Sequence, residues 1–385
     1  MILPPQTLGM IGGGQLGRMF ASAARCMGYR VMVLDPDLVS PAAEFANEHL
    51  PVAYTDPTAL EKLATDCAAI TTEFENAPAE VLIALAARTT VRPSGRAVAV
   101  AQDRHAEKTF FKSNDFPVGP FAIINSAADI EAALLKVKLP AILKTARFGY
   151  DGKGQARINT PNELATTLAS WKFAPAILEE FIDLKLEISV VLARGADGEI
   201  ALFPVAENQH VNGILDITIT PARISQELAA RATAIATKLA VALDYVGVLA
   251  VEFFITRSDA ILVNEMAPRP HNSGHVTIDA CCSSQFEQQV RALCGLPLGD
   301  PRLHTPAVML NLLGDVWPNV KNPEAKSTEP DWQTVLKHPG AHLHLYGKRE
   351  ARVGRKMGHI TICDTDLSRA LAITLEIRQA LQAAA

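Results

Sequence analysis

Apolar and polar positions along the chain follow two rhythms. Residues 7–11 (TLGMI) form a short apolar run, followed by GGGQLGRMFASAARCMG and then YRVMVLD. That order predicts a strand, a Gly-rich turn, an amphipathic helix ending near Gly28 and a second strand ending at Asp35. Helical patterns over 58–66 and 78–88 enclose the strand-like AAITTEF. Alternating strands and helices predict a doubly wound parallel sheet covered on both faces, ending near residue 100. Residues 101–113 (AQDRHAEKTFFKS) read as one helix opening the next unit. From about 139 the strand-like segments crowd together: PAILKTA, GQARINT, AILEEFI, EISVVLARG and EIALFPV. Such spacing predicts antiparallel pairs. A helix pattern fills 224–243, and GVLAVEFFI and AILVNEMA read as two strands around the turn TRSD. Residues 301–385 add the strands VMLNLL, AHLHLY and GHITIC and a helix from Asp366.

The length, 385 residues, suits two or three domains of roughly 100–200 residues each. With 36 basic and 41 acidic side chains the net charge is −5, which argues against a nucleic-acid or membrane-coating role. The 49% hydrophobic content supplies ample core. Cys26, Cys67, Cys281, Cys282, Cys294 and Cys363 contain no C-x-x-C pair and read as reduced thiols. The first residues, MILPPQTLGM, lack the basic start of a secretory signal, and no apolar run approaches the ~20 residues of a membrane helix. The expectation is a cytoplasmic protein.

Five segments carry candidate chemistry. Gly12, Gly14 and Gly17 make a G-x-G-x-x-G at a strand-to-helix junction, with Asp35 ending the next strand. This spacing fits a dinucleotide, a monophosphate or a purely structural turn. Lys144 precedes Gly149, Gly152 and Gly154 in LKTARFGYDGKGQ, a Gly-rich hairpin that could close over a nucleotide. It is not a Walker A loop, because Gly154 follows Lys153. If TRSD is the hairpin turn, Ile255 opposes Ala260 and Glu252 opposes Val263. Glu265 is then a diagonal neighbour of Glu252, about 7–8 Å away at Cα. Two carboxylates on an apolar hairpin face are costly unless paired or metal-bound, and Mg²⁺ suits them. PRPHNSGH sets Arg269, His271, Asn272, Ser273 and His275 on a rigid loop. Pro270 and Gly274 argue against a helical zinc pair, and the cationic and amide cluster suits a small anion. Finally, GKREARVGRKMGH gathers Lys348, Arg349, Arg352, Arg355 and Lys356, which fits a phosphate or a solvated basic hairpin.

Together these segments resemble the ATP-grasp ligases, and among them the N5-carboxyaminoimidazole ribonucleotide synthetases. The resemblance rests on IGGGQLGRM, TEFEN, AQDR, LKT with GYDGKGQ, LEEFI, VGVLAVEFF, NEMAPRPHNSGH, QFEQQ and GRKMGHI, in that order along nearly the whole chain. It implies an α/β and α+β architecture: an N-terminal doubly wound (pre-ATP-grasp) domain over 1–100 that binds substrate, an ATP-grasp region over 101–300, and a small C-terminal domain over 301–385. The ATP-grasp lobes would span about 101–177 and 178–300, and homodimers are the family habit. The implied reaction joins bicarbonate to the amine of 5-aminoimidazole ribonucleotide, with ATP becoming ADP and phosphate through carboxyphosphate. The product would pass to a mutase.

By the same resemblance, Arg104 and Lys144 contact ATP phosphates, and Gly149, Tyr150, Asp151, Gly152, Lys153, Gly154 and Gln155 close over them. Glu179, Glu180, Phe181 and Ile182 form the adenine hinge, Glu187 holds ribose, and His210 belongs to the nucleotide site. Glu252 and Glu265 carry Mg²⁺ with Asn264 beside them, and Arg269, His271 and Asn272 form the bicarbonate and carboxyphosphate pocket. Gln15, Leu16, Glu73, Tyr150, Asp151, Lys348 and Arg355 take the ribonucleotide, the last two its phosphate. Val276 and Gln289 depart from a frequent Trp and His of the family. The rivals are a formate-dependent glycinamide ribonucleotide transformylase, which HNSGH and GRKMGHI disfavour, and a non-catalytic ATP sensor, which both carboxylates disfavour.

Overall fold

A computed structural model of the chain describes residues 1–147, 149, 154–321 and 329–384. Three sheets organise them. The first is parallel, built from β1 (Thr7–Ile11), β2 (Arg30–Leu34), β3 (Glu48–Leu50), β4 (Ala69–Thr72) and β5 (Thr90–Val91) in the order β3-β2-β1-β4-β5. Helices cover both faces, as the alternation of patterns predicts. Helix Gln15–Cys26 buries Phe20 against Leu8, Met10 and Val33 on one side, and Pro57–Asp66 and Ala79–Ala86 bury Leu63 and Leu82 on the other.

The second sheet comprises β6 (Phe121–Ile124), β7 (Ala141–Thr145), β8 (Gln155–Ile158) and β9 (Ala176–Glu180), all antiparallel, in the order β6-β9-β7-β8. The third contains β10 (Leu184–Arg194), β11 (Ile200–Leu202), β12 (Ala206–Val211), β13 (Ile214–Thr220), β14 (Gly247–Thr256), β15 (Ile261–Ala267), β16 (Ala307–Leu313), β17 (Ala341–Leu345) and β18 (Lys356–Cys363). Its order is β15-β14-β10-β12-β13-β16-β18-β17, with β11 on β10. The sheet runs without a break from β13 into β16, so the expected division at 300 falls across one continuous sheet.

Three local readings need correction. The expected helix over 101–113 is two helices, Gly95–Gln102 and Arg104–Ser113, because Asp103 turns extended (φ −129, ψ 115) and caps the second through His105 N and Ala106 N. The hairpin β14–β15 pairs Ile255 with Ile261, not Ala260, and Phe253 with Val263. Asn264 is then one residue too many, and the bulge brings Glu265 directly opposite Glu252 instead of diagonal to it. Strands β6, β12 and β13 lie outside the segments read as strands, although the turn Asn212–Gly213, both residues at positive φ, is a strong hairpin signal.

Helix Gln285–Cys294 joins the sheets. Its apolar face (Phe286, Val290, Leu293) enters the core of the first sheet, while its other side touches β10 and β14. Ser284 caps its start by accepting from Glu287 N, and Gly295 in the left-handed region (φ 64) ends it. Gln285, Gln288 and Gln289 are buried in the joint.

Candidate active site

A cavity of about 600 Å³ opens where the three sheets meet. Its wall includes Gln15, Leu16 and Glu73 from the first sheet's loops and Arg104, Lys144, Gly149, Gly154 and Gln155 from the second unit. Glu187, His210, Glu252, Asn264, Glu265, Arg269, His271 and Asn272 complete it from the third. Glu179, Glu180, Phe181 and Ile182 line a neighbouring, narrower cavity of about 110 Å³, with Lys144 on both walls. Tyr150, Asp151, Gly152 and Lys153 lie outside the described residues. Lys348 and Arg355 are not on the wall: Lys348 Nζ donates to the carbonyl of Lys356 at 2.7 Å, and Arg355 donates to the carbonyl of Glu350 at 2.8 Å. Lys356, of the same basic run, does line the cavity.

The Gly-rich turn is already satisfied by protein. Gly13 N donates to Asp35 at 2.7 Å, Gly17 N to Glu73 at 2.7 Å, and Gly14 N also to Glu73. The N–H groups that would cradle a pyrophosphate therefore hold carboxylates, and Asp35 also accepts from Tyr54 instead of waiting for a ribose. Those three N–H groups are thus not offered to a dinucleotide pyrophosphate. Burial raises the Glu73 carboxyl against the pull of the two glycine N–H groups.

Opposite lies the carboxylate pair. Arg104 donates to Glu265 at 2.9 Å, and His271 Nε2 stands 3.0 Å from Glu252 Oε1. Burial pushes Glu265 up, but Arg104 and Lys144 outweigh it and hold the carboxyl well below the usual range. Asn264 Oδ1 is buried without a hydrogen-bond partner beside them. Two facing carboxylates and an orphaned amide oxygen are an all-oxygen set suited to a hard divalent cation such as Mg²⁺. Next to this pair, His210 Nδ1 stands 3.0 Å from a Glu187 carboxylate oxygen. Burial would lower His210, and the bond to Glu187 raises it instead.

Several participants escaped the sequence reading. Lys108, buried, donates to the carbonyl of Asn264 at 2.8 Å and pairs with Glu179 at 2.5 Å, while Lys144 takes the other oxygen of Glu179 at 2.5 Å. Glu179 stays ionised because these two lysines overcome its burial. Glu107 accepts from Met266 N at 2.8 Å, and burial and then Glu265 push its carboxyl up to about 8. Glu75 pairs with Arg269 Nε at 2.5 Å across two units. The zinc pair of His271 and His275, which Pro270 and Gly274 disfavour, is excluded by place as well: His271 Nδ1 meets Ser273 at 2.8 Å, while His275 is fully buried beside Phe286 and His359.

This geometry, a small antiparallel lobe and a large sheet enclosing lysines and a carboxylate pair, is that of an ATP-grasp enzyme. Family profiles agree: the ATP-grasp domain matches residues 109–286, the ribonucleotide synthetase preATP-grasp domain 5–102, and the phosphoribosylaminoimidazole carboxylase C-terminal domain 307–372. An N5-carboxyaminoimidazole ribonucleotide synthase of Brucella melitensis is 45% identical over 360 residues, covering 93% of this chain and 96% of that protein. A crystal structure of an ADP complex of N5-carboxyaminoimidazole ribonucleotide synthetase superposes with a TM-score of 0.91 at 40% identity, covering 98% of this chain and 97% of the other. The Aspergillus clavatus enzyme, in complex with ADP and 5-aminoimidazole ribonucleotide, superposes with a TM-score of 0.88 at 29% identity, covering 98% and 99%. The chain belongs to the N5-carboxyaminoimidazole ribonucleotide synthase family. Among the described residues no helix is long and apolar enough to cross a membrane.

Proposed function

We propose that this enzyme carboxylates the amine of 5-aminoimidazole ribonucleotide with bicarbonate, converting ATP to ADP and phosphate in purine biosynthesis. Bicarbonate is a poor electrophile. Its oxygen first attacks the γ-phosphorus of ATP, ADP leaves, and carboxyphosphate results. The amine then attacks the activated carbon, or CO₂ freed from it, phosphate departs and the amine loses a proton. Positioning and charge stabilisation carry such chemistry, with no covalent protein intermediate.

What supports the reading most is that one cavity joins Gln15, Leu16 and Glu73 to the Glu252–Glu265 pair and to Arg269, His271 and Asn272. Adenine enters the narrower cavity along Glu179–Ile182, with ribose towards Glu187 and His210. Phosphates draw Lys144 from Glu179 and meet Arg104, and Tyr150, Asp151, Gly152 and Lys153 are assigned to the same nucleotide. Glu252, Glu265 and Asn264 would hold Mg²⁺, which supplies charge neutralisation to the phosphates when bound. Arg269, His271 and Asn272 orient bicarbonate, two or more of them donating to its oxygens. Lys348 and Arg355 serve the ribonucleotide phosphate, with Lys356 closer to the cavity. A cytoplasmic homodimer that hands its product to a mutase goes with this reading.

The test is ADP release with ATP and Mg²⁺, adding bicarbonate and 5-aminoimidazole ribonucleotide separately and together. Stimulation that needs the ribonucleotide, with labelled bicarbonate carbon in an acid-labile product, is expected. ATP turnover indifferent to the ribonucleotide would overturn the substrate assignment.

A further inference from the structure

Helix Gln285–Cys294 begins with a side chain that does not reach the cavity wall yet holds a residue that does. Gln285 is fully buried. Its Oε1 accepts from His271 N at 2.9 Å and its Nε2 donates to His271 O at 2.8 Å, so one amide takes both backbone polar groups of His271. The second hydrogen of Nε2 faces His275 Nδ1 at 3.2 Å. Three of the four hydrogen bonds a glutamine amide can make are thus spent on the loop from Arg269 to His275. Its own backbone N is fixed by Thr277 Oγ1 at 3.0 Å, and Thr277 Oγ1 donates to Gly274 O at 2.6 Å.

The fit is close enough to dictate a neighbour. A Cβ on Gly274 would meet Gln285 Oε1 at 2.3 Å, with the remaining near contacts also to that amide. Gly274 is therefore glycine to admit the amide. Gln288, three residues further on, clamps Gly299 in the same two-bonded way, and Gln289 donates to Thr71. The helix is a rigid base: it is packed into the first sheet's core and against β10 and β14.

We infer that Gln285 is a positioning residue that sets the place of the His271 imidazole at the reacting end of the cavity. The loop's own turn supplies Gly274 N to His271 O at 2.9 Å, but the His271 N–H goes to Gln285, and with its backbone so held His271 stands 3.0 Å from Glu252. Displacements of about 1 Å at such a group cost up to a hundredfold in rate. The inference rests on the carboxylase reading for its kinetic consequence, but not for the clamp itself.

The test uses Gln285→Met, which keeps volume and removes all three bonds, Gln285→Ala, Gly274→Ala, and the double variant Gln285→Ala/Gly274→Ala. Hydrogen exchange at the His271 amide reads the clamp without any assay: fast exchange is expected in the Gln285 variants and slow exchange in the parent. The rate of product formation is expected to fall about tenfold to a hundredfold in each single variant, with ATP affinity within about twofold of the parent. In the double variant the added methyl occupies the space the amide has left, so its loss should be no greater than that of either single change, a clear departure from additivity. A His271 amide still protected in Gln285→Met overturns the inference, as does rapid exchange with an unchanged rate of product formation. Should the parent prove indifferent to the ribonucleotide, the substrate assignment falls while the exchange measurement still decides the clamp.

Discussion

Glu252 on β14 and Glu265 on β15 stand directly across the hairpin because β15 carries the additional residue Asn264. Without that bulge the period of two would leave them staggered. The bulge is held from outside the hairpin: Lys108 takes the carbonyl of Asn264 and Glu107 takes the N–H of Met266. Two consecutive residues of helix Arg104–Ser113 thus fix the register of the carboxylate pair.

The first prediction concerns the pair itself. Glu265→Gln keeps size and a hydrogen-bonding oxygen for Arg104 but removes one charge from the proposed cation site. Turnover should fall by roughly 100-fold or more, with the melting temperature little changed and a higher Mg²⁺ requirement for any residual ADP release. Activity equal to the parent at low Mg²⁺ would remove the metal role from this residue.

Lys108 offers a second test. Its ammonium is about 3% exposed as a residue and sits between Glu179 and the bulge. Lys108→Met leaves Glu179 with Lys144 alone and frees Asn264, and breaking a buried pair in this way costs on the order of 3 kcal/mol. Urea unfolding should show that loss, and ADP affinity should drop because Glu179 lines the narrow cavity proposed for adenine. A stability change below about 1 kcal/mol would show that the pair contributes little net.

Much of this was legible from local pattern. The parallel sheet follows from the alternation of periods, and the glycine hairpin after Lys144 from Gly-rich spacing: β7 and β8 do pair, Lys144 opposite Gln155. The bulge was not legible, because TRSD suggests a two-residue loop, whereas Thr256 N bonds Ala260 O and shifts the pairing by one. Asp103 breaks a helical run by capping, a choice its residue type allows but the apolar pattern conceals. Glu75, Lys108 and Gln285 owe their roles to partners distant in sequence, such as Arg269, Glu179 and His271. Nothing in their immediate neighbourhoods marks them.

Acid pH supplies a third prediction. His275 and His359 are fully buried, and burial pushes both imidazoles well below their ordinary range, so each stays neutral in the fold. The unfolded chain takes up a proton at each site below about pH 6.5, which the folded chain does not. Stability therefore falls as pH drops through that region, by about 1.4 kcal/mol per pH unit for each histidine. His359→Asn should remove about half of the combined slope between pH 6 and 5, read by urea unfolding at each pH. Equal slopes in parent and variant would mean that His359 is protonated in the fold.

Glu75 and Arg269 form the last test, since their ion pair at 2.5 Å ties the loop after β4 to the loop after β15. Burial alone would raise the Glu75 carboxyl; Arg269 outweighs it and holds it below the usual range. A depressed carboxyl stabilises the fold above its unfolded pKa, and that contribution is lost only as pH falls below about 4.5. Between pH 6 and 9 the pair should therefore add no ionisation to the rate profile. Glu75→Gln keeps the shape but removes the charge that aims the guanidinium, so Arg269 is free to leave the end of the cavity proposed for bicarbonate. The apparent bicarbonate KM should rise about tenfold while the ATP KM holds. An unchanged bicarbonate KM would show that Arg269 keeps its place through its own bond to the carbonyl of Pro270 at 3.1 Å, and the pair would then serve only to join the two units.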